Sequence, residues 1–264
     1  MVSPVTLDQR RVALEGLRAA LAAGYRAASP EAFTLAEESV VRSGLGALDA
    51  ALGGGFPRGV IATLEGAPGS GRSAVAARLL ATATAGGGLG AIVESPAGPD
   101  GSFFPPALAA AGVDLERLLV VRAENPAQIA RAADILMRAA AFGVVVIPAV
   151  ALRATVWTRL ASLTHRANAL LVTLGTEASD ELRYFASLRV RLQPSHVLFA
   201  GESGPFCALA GTHIEAAVLK HKRAAPGRRA EFACTTFERE GAPLGVLRER
   251  LAPRKVATGR EACL

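Results

Sequence analysis

The sequence is poor in aromatic residues, poor in cysteine and free of long apolar runs. Rings make up 5% of its 264 residues, with the single tryptophan Trp157. So few rings make a stacking groove for unpaired bases improbable, and Trp157, Phe103 and Phe104 are expected in core packing. Cys207, Cys234 and Cys263 are odd in number and far apart, which excludes a disulfide framework or a CxxC metal knuckle and leaves free thiols as the expectation. His165, His196, His213 and His221 stand alone without ligand spacing, so no metal site is expected. The longest purely apolar runs, such as Val144–Leu152, fall short of the roughly 18–20 residues of a membrane helix. Asp8, Arg10 and Arg11 occupy the region where a secretory peptide would be apolar. A cytoplasmic protein without membrane association is the expectation.

What is present is a compact composition, 51% hydrophobic and 20% charged, sufficient to bury a large core. The net charge of +6 is unevenly placed. Residues 220–264 hold 11 basic and 5 acidic side chains, whereas residues 1–219 hold 18 of each. Such a basic segment attracts phosphate backbones or an acidic protein partner through salt-sensitive fields. Lys220, Lys222, Arg223, Arg228 and Arg229, followed by Arg248 and Arg250, are therefore candidate partner-binding or DNA-binding residues. The same composition also suits a solvated terminus.

Three regions follow from the patterning. In residues 1–42, Leu7, Leu14, Leu17 and Leu21 share one face of an amphipathic helix over 6–26, followed by a linker or edge strand around Pro30. From Ser43, apolar strand runs alternate with helical stretches: strands over 60–65, 89–94, 118–122, 144–147 and 169–174, helices over 74–83, 105–111, 127–141 and 154–167. Continuous apolar strands separated by helices indicate an α/β fold whose mostly parallel sheet is flanked by helices on both faces. After Gly175 the pattern changes to short strands over 185–192, 196–200, 207–210, 215–219 and 231–236, an antiparallel extension at the C-terminal edge. The core is thus assigned to residues 43–237 and a basic tail to 238–264. In that tail Leu244, Val246, Leu247 and Leu251 are interleaved with Arg248, Arg250 and Arg254, a pattern suited to folding on a partner.

Gly66–Ser73 reads GAPGSGRS, after a strand and before a helix, the setting of a phosphate-binding P-loop. Gly66, Gly69 and Gly71 let successive N–H groups curl toward a phosphate, and Ser73 offers a hydroxyl to magnesium. The spacing is kept, but the lysine position holds Arg72. A planar guanidinium does not replace a compact ammonium between phosphates, so anion binding can survive the exchange while hydrolysis is not expected to. The strand over 144–147 ends at Pro148, which has no ligand atom for magnesium. Glu94 is the one acid placed to act as a general base at the end of its strand.

These residues resemble the RecA recombinase family over most of the chain. SGLGALDAALGGGFPRGVIATLEGAPGSGRS (43–73) resembles the family's lead-in and Walker A region, and Gly112, Val113 and Asp114 resemble its LGVD step. LRYFASLRVRL (182–192) is similar to LKFYASVRLDI, and LKHKRAAPGRRAEF (219–232) to VKNKIAAPFKQAEF. The resemblance places Arg72 at the Walker lysine, Pro148 at the Walker B aspartate, Gly175 at a strand-closing glutamine and Ser95 at the catalytic glutamate, with Glu94 one residue off. It puts the adenine-stacking tyrosine near Ala107. Both DNA-binding loops are cut to tight connections, after Leu152 and after Gly175. Lys220 and Lys222 match a lysine pair that reaches a neighbour's nucleotide in recombinase filaments.

A RecA-like body with a vestigial P-loop and no DNA loops resembles the ImuA, or SulA-like, family. That resemblance implies a non-catalytic accessory factor of damage-induced translesion synthesis that needs no cofactor, ATP included. Its implied partners are ImuB, an inactive Y-family polymerase, an error-prone C-family polymerase reached indirectly, and RecA, with DNA contacted weakly or indirectly. Leu244, Leu247, Arg248, Arg250 and Leu251 fall where the family's partner contacts are placed. The competing readings are a nucleotide-dependent recombinase or ATPase, and a RecA antagonist that caps filaments.

Overall fold

The computed structural model describes residues 39–85, 87–96, 98, 102–200, 208–224 and 226–235. The amphipathic stretch expected over 6–26 and the tail 238–264 lie outside these residues. The described chain begins with the short strand β1 (Val40–Val41), helix α1 (Gly46–Ala51) and strand β2 (Phe56–Pro57), which pairs with β1. Asp49 ties this lead-in together. Its carboxylate accepts from the Ser43 backbone N–H at 2.9 Å, the Ser43 hydroxyl at 2.8 Å and the Gly44 N–H at 3.0 Å, which meets the requirement that a buried charge be hydrogen-bonded.

Strands β3 (Val60–Glu65), β4 (Leu89–Glu94), β5 (Leu118–Arg122), β6 (Phe142–Pro148) and β7 (Leu170–Gly175) alternate with helices α2 (Arg72–Ala85), α3 (Pro105–Ala110), α4 (Pro126–Ala139) and α5 (Ala154–Ala167). Helix α6 (Asp180–Phe185) then leads to β8 (Leu188–Ala200), β9 (Ala208–His221) and β10 (Arg229–Thr235). The eight longer strands form one sheet in the order β10-β9-β8-β3-β7-β6-β4-β5. The first five and β8 run parallel, and β9 and β10 add antiparallel at one edge.

Side-chain alternation divides the core into two layers. Ala62, Leu64, Val144, Val146, Leu170 and Val172 meet α1, α2 and α3 on one face. Ile61, Val145, Ile147 and Leu171 meet Trp157 and Leu160 of α5 and Ile129 and Ala133 of α4 on the other. Trp157 is fully buried, as expected, whereas Phe104 is 67% exposed. Phe104 precedes the proline pair that opens α3, where extended backbone turns it outward while Phe103 packs on the core.

The extension differs from the five short strands expected after Gly175. Residues 185–192 and 196–200 belong to α6 and to one long strand, β8, because Pro194 sits at a register shift between β8 and β9 rather than ending the strand. Such an irregularity tolerates a residue without a ladder N–H. Residues 207–210 and 215–219 likewise merge, from Ala208, into β9. Helix α6 starts at Ser179, whose Oγ accepts from the Leu182 N–H at 3.3 Å.

Candidate functional site

The glycine-rich loop connects β3 to α2 at the carboxyl edge of the sheet. Gly66 is wedged against its surroundings: a Cβ there would overlap the Leu192 carbonyl and Ser70 Oγ. Gly69 and Gly71 adopt φ of +82° and +89°, conformations that glycine takes without strain. The loop therefore keeps the backbone curl that the glycine spacing implies. Ala67, Pro68, Gly69 and Ser73 are exposed.

Two side chains close in on it. Arg72 is buried, 4% exposed, and its Nη1 donates to the carbonyl of Gly66, the first residue of the loop. Burial holds its guanidinium pKa below the usual arginine value. Ile214 of β9 lies against Gly71, where an added Cβ would overlap its Cδ1 and approach Cγ1 to 3.2 Å. Ser70, fully buried, has no hydrogen-bond partner for Oγ among the described residues.

The strand ends beside the loop carry other chemistry. β6 finishes at Pro148. At the end of β7, Gly175 accepts a hydrogen bond from the Gly66 N–H at 3.1 Å, and a Cβ on it would come within 2.6 Å of the Ala149 Cβ. Glu94, the sequence-derived candidate base, is buried and engaged. Its Oε1 accepts from Arg122 Nε at 3.1 Å and its Oε2 from the Phe103 N–H at 3.1 Å. The connection after β6 reaches α5 at Ala154 and the one after β7 reaches α6 at Asp180, so both are short.

A feature the sequence did not reveal adjoins the loop. Glu65, the last residue of β3, is buried and takes a two-pronged ion pair from Arg189 of β8, at 2.7 Å to Nε and 3.1 Å to Nη2, with the Thr63 hydroxyl donating at 3.2 Å. Its only sequence signal is an Arg-x-Arg repeat over 189–191, which becomes interpretable once β8 is paired with β3.

The basic residues near the β9–β10 turn are brought together in part. Lys220 Nζ donates to the Arg183 and Tyr184 carbonyls at 2.7 and 3.0 Å, closing the end of α6, and its pKa is lowered by burial and by the nearby Lys222 and Arg189 charges. Lys222 and Arg223 are exposed, and Arg228 is half-buried. Arg229 instead pairs with Glu215 at 2.8 Å. The other candidates, Leu244, Leu247, Arg248, Arg250 and Leu251, lie outside the described residues.

Two histidines expected to stand alone do not. His196 and His213 are cross-strand partners with ring centroids 6.4 Å apart, and each Nδ1 lies 3.8 Å from Glu231 Oε1. A register shift after Pro194 puts both rings on one face, a pairing that sequence alone cannot show. Among the described residues no group of three His, Cys, Asp or Glu side chains is set to hold a metal ion, and no helix is long and apolar enough to cross a membrane.

The RecA N-terminal domain family matches residues 32–157. Protein RecA of Picosynechococcus sp. is 29% identical over 231 residues, spanning 74% of this chain and 64% of that protein. The chain thus spans slightly less than two thirds of that relative. Protein RecA of Salinispora tropica is 30% identical over 260 residues, 83% of this chain and 72% of that one. The crystal structure of the RadB recombinase shares the fold, with a TM-score of 0.56 at 19% identity over 74% of this chain and 96% of that structure. Fold, order of elements and these matches agree: the chain belongs to the RecA family.

Proposed function

We propose that this chain is a non-catalytic RecA-like accessory factor of damage-induced translesion DNA synthesis, of the ImuA type. It binds an ImuB-type inactive Y-family polymerase, reaches the error-prone C-family polymerase through it, and also contacts RecA. The observation that carries the reading is Arg72. A P-loop lysine must stand free to meet phosphate, whereas Arg72 is buried and donates back to Gly66. Ile214 on Gly71, Pro148 at the end of β6 and Gly175 flush against Ala149 support the same reading, since none has a side-chain ligand atom for a magnesium triphosphate. The recombinase or ATPase reading rests on the retained glycine curl and the exposed Ser73.

Steady-state ATP turnover with magnesium separates the two. The accessory reading expects wild type to equal Arg72→Ala, and turnover that disappears on this substitution would establish the enzyme. Co-purification with an ImuB-type polymerase tests the partner, with binding expected for the full chain and lost on deleting Arg239–Leu264.

A further inference from the structure

The sheet ends at β5, and no described strand pairs with the outer side of that edge. Its five residues read Leu-Leu-Val-Val-Arg, with neither lysine nor proline, and its ladder with β4 runs without a bulge. The usual devices that keep a sheet edge from pairing are therefore missing from it. Leu119 is 46% and Val120 42% exposed, one on each face of the sheet. Leu115, just before the strand, and Ile135, on the helix packed over the Leu119 face, are exposed as well. The Ala123 N–H donates to the Glu94 carbonyl at 2.9 Å. By alternation, odd-numbered residues turn their backbone groups toward β4, and Leu118, Val120 and Arg122 turn theirs to the open side.

We propose that this edge pairs with the same edge of a second copy, antiparallel about a two-fold axis, so that one sheet runs through both chains. The choice of a second copy rests on charge. Backbone groups on the open side must face each other, which limits the registers to those opposing even-numbered residues to even-numbered ones. With Leu118 of each copy opposite Val120 of the other, Arg122 falls opposite Glu116, and the two-fold axis repeats that ion pair at the other end. Both side chains are available. Glu116 is exposed, and Glu94 anchors Arg122 through Nε while its side chain stays 77% exposed. Sliding one copy by two residues opposes Glu116 to Glu124 in one direction, and in the other leaves only Leu118 against Leu118. The edge is thus complementary to itself in one register, with its apolar residues matched and its end charges opposed. This pairing does not depend on the translesion reading.

The test uses the full chain. In sedimentation equilibrium at about 100 µM, above the micromolar Kd that a small interface gives, the wild type is expected to weigh twice the monomer. Leu119→Lys/Val120→Lys, at two exposed positions, should weigh one monomer with an unchanged circular dichroism spectrum. Glu116→Arg, which sets like charges across both ends, should weaken the dimer about tenfold. The register has its own readout. The axis passes between the two Leu119 residues, a pair without mutual hydrogen bonds whose Cα atoms lie about 4.5 Å apart. The two Val120 Cα atoms lie about 9 Å apart, beyond disulfide reach. Under mild oxidation Leu119→Cys should therefore give a disulfide dimer, mapped to residue 119 by mass spectrometry, and Val120→Cys at least about tenfold less. A wild type that stays monomeric overturns the proposal and leaves the edge to another segment or another protein. A dimer indifferent to the lysine variant, or cross-linking as efficient at 120 as at 119, also overturns it. So does an open series of higher oligomers, because two-fold pairing uses up both edges.

Discussion

Ile214 rests on Gly71 so closely that a Cβ at Gly71 would overlap its Cδ1 and lie 3.2 Å from its Cγ1. The loop is thereby packed against the antiparallel extension. Gly71→Ala is expected to destabilise the fold by about 2–5 kcal/mol, combining a side chain at φ +89° with an overpacked contact. Urea denaturation measures it. The double variant with Ile214→Ala should cost less than the two singles added, because truncating Ile214 relieves the clash at position 71 while the added methyl fills part of the space it leaves.

Arg72 faces inward, so its loss should register as stability rather than as phosphate affinity. Arg72→Met keeps most of the buried stem and removes the donor to Gly66 O. A buried carbonyl left without that donor costs about 1–3 kcal/mol, read from chemical denaturation. Magnesium and ATP together should leave the wild-type melting temperature in place, whereas a ligand at a hundred times its Kd would add about 2.7 kcal/mol. A ligand-dependent rise that Arg72→Met abolishes would show that the guanidinium turns out to meet phosphate.

The Glu65–Arg189 pair is mostly dry, with side-chain exposures of 2% and 15%. Arg189→Ala leaves the buried carboxylate beside the loop with only the Thr63 hydroxyl and the longer, half-exposed Arg191 contact at 3.9 Å, and should cost up to about 3–5 kcal/mol. Glu65→Leu/Arg189→Met removes both charges at similar volume and should come within about 1 kcal/mol of wild type. Equilibrium unfolding of the three proteins decides it. Equal losses for the single and double variants would mean that the pair contributes packing alone.

The parallel core was legible because its strands are continuous apolar runs and its helices carry a buried stripe, as Ile129, Ala133 and Leu136 do in α4. The glycine loop was legible from spacing. The extension was harder: Pro194 reads locally as a strand end, and only pairing with β9 shows the strand continuing through a register shift. Helix α6 had a signal in Ser179 followed by Asp180 and Glu181, a cap and an acidic first turn, but the apolar run after Phe185 dominated the pattern. The inward turn of Arg72 and the approach of Ile214 depend on elements distant in sequence, and no local period encodes them. The same holds for Glu94, whose strand position is readable while its engagement by Arg122 and Phe103 is not.

His221 closes β9 in a buried position, and burial lowers its imidazole pKa, helped by the charges of Arg228 and Arg223 and opposed by a hydrogen bond with the Leu52 backbone. A depressed folded-state value means that the unfolded chain takes up the proton first. The stability this group contributes is therefore complete above its ordinary value of 6.5 and declines as pH falls through 6.5 toward the folded-state value. Wild type should lose stability between pH 7 and pH 5, and His221→Gln should lose less over the same interval. Urea midpoints at half-unit steps of pH provide the comparison. Parallel curves for the two proteins would assign the acid sensitivity to other groups, and a steeper decline in His221→Gln would reverse the sign of the argument.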